Sequence, residues 1–258
     1  MTAPAPVRAS LAADTPDADA SPRALRELNQ WLAGHSAEQR IAWALDATPG
    51  PHALSSSFGA QAAVSLHMAT RLAPQLPVIL VDTGYLFPET HRFAGQLRER
   101  LDLNLKVYRP NPTHAWNDAD VAGLGDTGIV GIDRYNQVHK VEPMRRALRE
   151  LGVGTWIAGL RRGQSSSRAT IEFVERRDGR WKLHPLADWS DRDVWQYLQR
   201  HRLPYHPLWH DGYVSIGDTH STRRLQPGMR EEDTRFFGLK RECGLHFDDH
   251  DTPPPQLL

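Results

Sequence analysis

The chain has 258 residues, with 31 lysines and arginines against 31 aspartates and glutamates, 40% hydrophobic residues and one cysteine. The balanced charge supplies no global basic field for nucleic acid, and no apolar run approaches the roughly 20 residues that a membrane-spanning helix needs. A lone cysteine forms no intrachain disulfide and cannot supply the thiolates of an iron–sulfur cluster, and no secretory signal is evident, so a cytoplasmic protein is expected.

Residues 1–22, rich in Ala, Pro, Asp and Ser, predict a disordered leader. Leu25, Leu28, Trp31, Leu32, Ile41, Trp43 and Leu45 predict two short helices broken near Gly34. His52 to Ser56 reads as a buried strand running into a serine–glycine turn, and Ala60 to Leu72 as a helix with Val64, Met68 and Leu72 on one stripe. Pro77 to Asp82 is a strand of four apolar residues ending on an aspartate. Pro88 suits the first turn of a helix that runs to Leu101. Leu105–Arg109 is a further strand and Glu142–Leu151 a helix. Thr155–Gly159 is a strand entering an arginine-rich turn, and Trp181–Leu186 a shorter strand. Ser190 caps a last firm helix, Asp191–His201, with Asp193 in the place of the capping-box acid. Leu203–Thr222 is Pro-, Gly- and aromatic-rich loop, Met229–Leu245 includes a short helix, and the acidic, proline-rich end from Asp248 predicts disorder.

Strands alternating with helices at this spacing predict an α/β fold, a mostly parallel sheet with helices on both faces. The expected organisation is a leader over 1–22, one α/β nucleotide-binding domain over 23–228, and a mobile C-terminal tail over 229–258. Right-handed crossovers bring the carboxyl ends of the strands to one rim, where open α/β sheets bind ligands. That rim carries Ser55-Ser56-Ser57, Asp82-Thr83-Gly84 and Gly159-Leu160-Arg161-Arg162. Its polar, glycine-containing and cationic character is that of a nucleotide site.

Ser55-Ser56-Ser57-Phe58-Gly59 lies between a strand and a helix start, where successive backbone N–H groups and the helix dipole favour a phosphate. These residues alone leave an ordinary serine-rich turn equally open. Asp82 and Thr83 suit hydrogen bonds to a base or ribose, with Gly84 permitting close approach; a capping aspartate is the alternative. The stretch from Gly159 to Arg168 places Arg161, Arg162 and Arg168 with Gln164 and Ser165, and no acid follows until Glu172. Arginine forks match phosphate and sulfate oxygens, so this is a candidate oxyanion loop. His206, His210 and His220 match no zinc spacing, and no metal is expected. Cys243 sits between Lys240-Arg241-Glu242 and Gly244-Leu245-His246. Cations beside a thiol favour its thiolate, so a reactive cysteine is favoured over an inert core position.

Taken in order, the chain resembles the phosphoadenylyl-sulfate reductases of assimilatory sulfate reduction from about Leu25 to His246. The marks are Ser-Ser-Ser-Phe-Gly, the Val81–Thr90 strand end, Lys140-Val141-Glu142-Pro143-Met144, the Gly-Leu-Arg-Arg loop, Tyr213-Val214-Ser215-Ile216-Gly217-Asp218, and Glu242-Cys243-Gly244-Leu245-His246. The resemblance implies an adenine nucleotide α-hydrolase-like fold and release of sulfite and adenosine 3',5'-bisphosphate. It also implies Cys243 as nucleophile forming an S-sulfocysteine, thioredoxin or glutaredoxin as external reductant, and a homodimer. Lys140, Arg161, Arg162, Arg223, Arg235 and Lys240 become the candidates to neutralise the phosphosulfate or the 3'-phosphate, with Arg241 and His246 beside the cysteine. Relatives with an iron–sulfur cluster carry a Cys-Cys pair where this chain has Tyr135-Asn136, and Cys-x-x-Cys where it has Asp218-Thr219-His220-Ser221. No bound cofactor is therefore expected, and 3'-phosphoadenylyl sulfate is the expected substrate, with a cluster-free adenylyl-sulfate reductase as the alternative. An ATP pyrophosphatase of the same fold would read Ser-Gly-Gly-x-Asp-Ser where this chain has Ser57-Phe58-Gly59-Ala60-Gln61-Ala62.

Overall fold

The computed structural model describes residues 21–111, 128–240, 242, 244 and 245. Helix α1 spans Pro22–Ala33, with Pro22 in its first turn and the Ser21 hydroxyl accepting from Ala24 N–H. The fold thus begins one residue earlier than the expected leader boundary. Helix α2, Ala37–Ala47, starts from a capping box between Ser36 and Gln39. Then follow β1 (His52–Ser55), α3 (Ala63–Leu72), β2 (Pro77–Val81), α4 (Pro88–Leu101) and β3 (Asn104–Tyr108). Helix α5, Gly128–Asn136, continues through a wide turn, Gln137–Val141, into α6, Glu142–Glu150. The chain continues with β4 (Thr155–Ala158), β5 (Val174–Arg177), β6 (Arg180–Leu183) and α7 (Asp191–Arg200). Ser190 and Asp193 close the capping box expected at α7, at 3.2 and 2.8 Å.

The sheet runs β3-β2-β1-β4-β6-β5, and every neighbouring pair is parallel except the edge pair β5–β6. The central strands β1, β2 and β4 are buried on both faces, which is why they read as apolar runs. Leu54, Val78, Leu80 and Ile157 point into the larger core with Leu66, Met68 and Phe93. Ala53, Ile79 and Trp156 point the other way, onto Met144, Ala147 and Leu148 of α6. The mostly parallel α/β sheet with helices on both faces is therefore as expected. Among the described residues, no helix is long and apolar enough to cross a membrane.

Two features depart from the sequence reading. Strand β5 was not expected; it pairs antiparallel with β6 across a turn in which Asp178 and Gly179 both have positive φ, 48° and 74°. Helix α5 and its wide turn were not expected either. Over the described part of the C-terminal segment the chain lies on the domain: Thr222 and Arg235 form a bridge, Arg223 N–H bonds Thr234 C=O at 3.0 Å, and Phe236 is fully buried beside Ile132 and Tyr135. Residues 241, 243 and 246–258 of the C-terminal tail and residues 1–20 of the leader lie outside the described residues.

Candidate active site

The chain builds β1, β2 and β3 outward in one direction, then places β4 on the other side of β1. Loops leaving β1 and β4 diverge at that switch point and leave a crevice. A cavity of about 260 Å³ opens there, with Ser55, Ser56, Ser57 and Gly59 on one side and Gly159, Arg161 and Gln164 on the other. Val81 and Thr83 close it from β2, Lys140 and Met144 from the α5–α6 connection, and Ser215–Asp218 with Arg235 from the later loops.

The serine turn is shaped from below. Ser56 N–H extends the sheet to Ile79 C=O at 3.0 Å, and Trp156 Nε1–H donates to Ser55 Oγ at 2.7 Å. Phe58 N–H donates to Ser56 Oγ at 3.1 Å, with the Phe58 backbone in the left-handed region, φ 50°. Phe58, expected among the binding residues, turns its fully buried ring into the core, so its part is to anchor the turn. Asp82 also differs from expectation. Its carboxylate accepts from Gly84 N–H at 3.1 Å and Arg109 Nε at 2.9 Å, which commits it to the local turn. Gly84 sits at a φ of 85°, in the left-handed region that favours glycine, and no protein atom lies within 4 Å of where its Cβ would be.

The centre of the site is a buried ion pair. Lys140 Nζ lies 2.5 Å from Asp218 Oδ2, and Thr83 Oγ1 donates to Asp218 Oδ1 at 2.6 Å. Burial by itself would raise the Asp218 pKa; the Lys140 charge and the Thr83 hydrogen bond outweigh it and hold the group at about 2. Beneath the pair, Tyr135 and His139 stack at 4.5 Å, and His220 meets the Tyr135 ring edge-on at 4.8 Å. Burial keeps His220 below its ordinary pKa, and burial with the Asp218 charge pushes the Tyr135 phenol up. The Tyr135-Asn136 and Asp218–Ser221 stretches therefore meet in space, as one buried cluster of aromatic and imidazole rings. Among the described residues, no three His, Asp or Glu converge in a metal-binding arrangement.

The candidate cations divide by position. Lys140, Arg161, Arg168 and Arg235 line the cavity. Arg161 is held by Gln61 and Asp191, both at 2.7 Å, and by Trp189 C=O at 3.1 Å. Arg168 and Ser165 both bond Glu242. Arg235 lies across Gly217, where a Cβ would collide with its guanidinium, and its Nε reaches Ser221 C=O at 3.4 Å. Arg162, Arg223 and Lys240 do not reach the cavity. Arg162 bonds Ile171 C=O at 2.8 Å and covers the Phe173 ring, Arg223 bonds Asp233 C=O, and Lys240 pairs with Asp133. Each cavity cation near the expected oxyanion loop thus has an acid brought from far along the chain. Asp191, Asp218, Glu231 and Glu242 line the same cavity, and none of them was among the residues expected to bind substrate.

Cys243, Arg241 and His246 lie outside the described residues. Their described neighbours Glu242 and Leu245 both line the cavity, and Leu245 packs on the cluster formed by Ala53, Ile79, Met144 and Trp156.

Residues 51–224 match the family model described as the phosphoadenosine phosphosulfate reductase domain. The chain is 64% identical over 222 residues to a phosphoadenosine 5'-phosphosulfate reductase of Xylella fastidiosa, covering 86% of this chain and 94% of that relative. It is 65% identical over 224 residues to its counterpart in Xanthomonas euvesicatoria pv. vesicatoria, covering 87% and 93%. Among solved structures, the phosphate complex of phosphoadenylyl-sulfate reductase from Candida auris superposes with a TM-score of 0.68 at 27% identity, over 80% of this chain and 98% of that one. The FMN adenylyltransferase of Candida glabrata, at 13% identity and a TM-score of 0.53 over 92% and 79%, shares the fold alone.

Proposed function

This chain belongs to the phosphoadenosine phosphosulfate reductase domain family, and from that premise we propose how its residues carry the reaction. It is an oxidoreductase acting on a sulfur group, reducing 3'-phosphoadenylyl sulfate in sulfate assimilation. The observation that carries the finer reading is the cavity at the β1–β4 switch point, lined by the serine turn, by Lys140, and by Glu242 and Leu245, which stand on either side of Cys243 in the sequence.

In this reading the nucleotide's phosphates meet the backbone of the Ser55–Gly59 turn, and the phosphosulfate lies toward Lys140 and Arg235. Asp218, itself held by Thr83, keeps the Lys140 ammonium aimed. The Cys243 thiolate attacks the sulfate sulfur; the sulfur–oxygen bond breaks, and adenosine 3',5'-bisphosphate leaves with the electron pair. The enzyme then carries an S-sulfocysteine. A thiolate of an external dithiol protein, of the thioredoxin or glutaredoxin kind, attacks Cys243 Sγ, and sulfite leaves with the electrons of the sulfur–sulfur bond. The second thiol of the dithiol resolves the mixed disulfide, regenerates the Cys243 thiolate and leaves the reductant as a disulfide. Two electrons pass from dithiol to sulfur, so no bound redox group is needed. The protein acts as a cytoplasmic homodimer.

Steady-state assays with 3'-phosphoadenylyl sulfate and adenylyl sulfate in parallel test this. The expected result is a higher kcat/KM for the 3'-phosphorylated nucleotide, and equal or better use of adenylyl sulfate refutes it.

A further inference from the structure

We propose that Glu242 is a positioning residue: its carboxylate, seated in a cradle of Arg168, Ser165 and Ser167, latches the C-terminal segment so that Cys243 is presented to the cavity. The cradle is specific. Arg168 Nε and Nη2 donate to Glu242 Oε1 and Oε2, each at 2.8 Å, the fork-to-fork geometry that guanidinium and carboxylate share. Ser167 Oγ donates to Oε1 at 2.8 Å and Ser165 Oγ at 3.2 Å. Gln164 Oε1 orients the guanidinium from behind, accepting from Arg168 Nη1 at 2.6 Å. The side chains of Arg168 and Glu242 are only 13% and 10% exposed, so the pair is largely withdrawn from the water that weakens surface ion pairs.

A second carboxylate ties the same loop to the same segment. Glu232 accepts from both Ser166 N–H, at 3.2 Å, and Ser166 Oγ, at 2.9 Å, and these bonds hold its pKa down. The loop from Ser165 to Arg168 therefore grips two glutamates of the chain's own C-terminal segment. The guanidinium edge that would clasp a substrate oxyanion is occupied by Glu242. At the other end, Leu245, half-buried, packs against the cluster that holds Met144 and Trp156. The segment is pinned one residue before Cys243 and two residues after it. Because successive Cα atoms are about 3.8 Å apart, closing the latch confines the thiol to one residue's reach of the cradle. Opening it would free the same thiol for a protein reductant, so the latch suits a cysteine that must be sheltered in one step and exposed in the next.

This inference rests on the Cys243 reading only for its effect on turnover, so its primary test does not need turnover. The chain has one cysteine, and alkylation by iodoacetamide followed by intact mass reports on that residue alone. Glu242→Gln and Arg168→Gln should each speed alkylation about tenfold, as the open segment becomes more populated. The charge-swapped pair, Glu242→Arg with Arg168→Glu, should return the rate to within about threefold of wild type, which separates a lost latch from a damaged fold. In turnover, Glu242→Gln should lower kcat about a hundredfold, as misplacement of a reacting group does, while the Kd for adenosine 3',5'-bisphosphate stays within about threefold. Unchanged alkylation in Glu242→Gln would overturn the latch. So would a tenfold weaker nucleotide Kd in Arg168→Gln alone, because Arg168 would then act on the substrate. A wild-type protein inactive toward the sulfonucleotide would overturn the proposed function, while the alkylation rates still decide the latch.

Discussion

Replacing Asp218 by Asn keeps the shape of the site but removes the carboxylate that faces Lys140. Asp218 is 1% exposed and Lys140 6%, so neither charge is well solvated. A fall in the Asp218 pKa from 3.8 to about 2 corresponds to roughly 2.5 kcal/mol of folding stability at 1.36 kcal/mol per pH unit. Removing one partner of a buried pair costs about 3–5 kcal/mol where the other charge has no escape. Lys140 lines the cavity and can turn toward its water, so the lower figure applies. For a domain of this size that lowers Tm by roughly 5–10 °C. The pH dependence has a definite sign. A carboxylate with a depressed folded pKa contributes fully above about pH 4 and loses that contribution as pH falls through about 2. Urea unfolding at pH 7 and pH 3 is the assay, with the gap between wild type and Asp218→Asn shrinking to about half at the lower pH. The double variant Lys140→Met with Asp218→Asn should recover most of the loss, because no uncompensated charge remains. A single variant within about 0.5 kcal/mol of wild type at pH 7 would refute this account of the pair.

Two further perturbations follow from the geometry. His184 is buried with Nδ1–H on Glu172 C=O at 2.9 Å, and burial, aided by the Lys182 charge, lowers its pKa to about 3. Its neutral form supports folding fully above about pH 6.5, and that support drains as pH falls toward 3. Between pH 7 and 4.5, His184→Asn should therefore lose about 2–3 kcal/mol less stability than wild type in urea titrations; parallel pH slopes would contradict this. Gly217→Ala places a methyl group against the Arg235 guanidinium, which can swing away at little cost to the fold. Calorimetry should show the affinity for adenosine 3',5'-bisphosphate fall by roughly ten- to a hundredfold, the worth of a charged hydrogen bond, with Tm nearly unchanged. Unaltered affinity would remove Arg235 from the binding site.

Strands β1, β2 and β4 were legible because a strand buried on both faces leaves an apolar run, and α4 begins and ends at Pro88 and Leu101, as its proline and periodicity indicate. Strand β5 was missed because Val174-Glu175-Arg176-Arg177 is a charged edge strand, although Asp178-Gly179 carried the hairpin signal. The segment 128–141 hides its helix because its burial is a local stack of Tyr135, His139 and Phe236 rather than a periodic stripe. The rim itself was readable: the serine turn, Thr83, Lys140, Gly159 and Arg161 all line the cavity. The pairing of its cations was not. The absence of acids near Arg161 and Arg168 in sequence suggested an open oxyanion loop, but Asp191 and Glu242 reach it through the fold. Local spacing cannot show a partner delivered by another loop.

In the proposed mechanism the lone cysteine carries the sulfonate. Intact mass spectrometry of the reduced, full-length protein, mixed with 3'-phosphoadenylyl sulfate in the absence of any dithiol, measures this directly. The account predicts one added SO3 per chain, mapped to Cys243, absent from Cys243→Ser and discharged as sulfite when thioredoxin is supplied. Sulfite formation by Cys243→Ser at the wild-type rate, or an unmodified wild-type mass while adenosine 3',5'-bisphosphate is released, would contradict it.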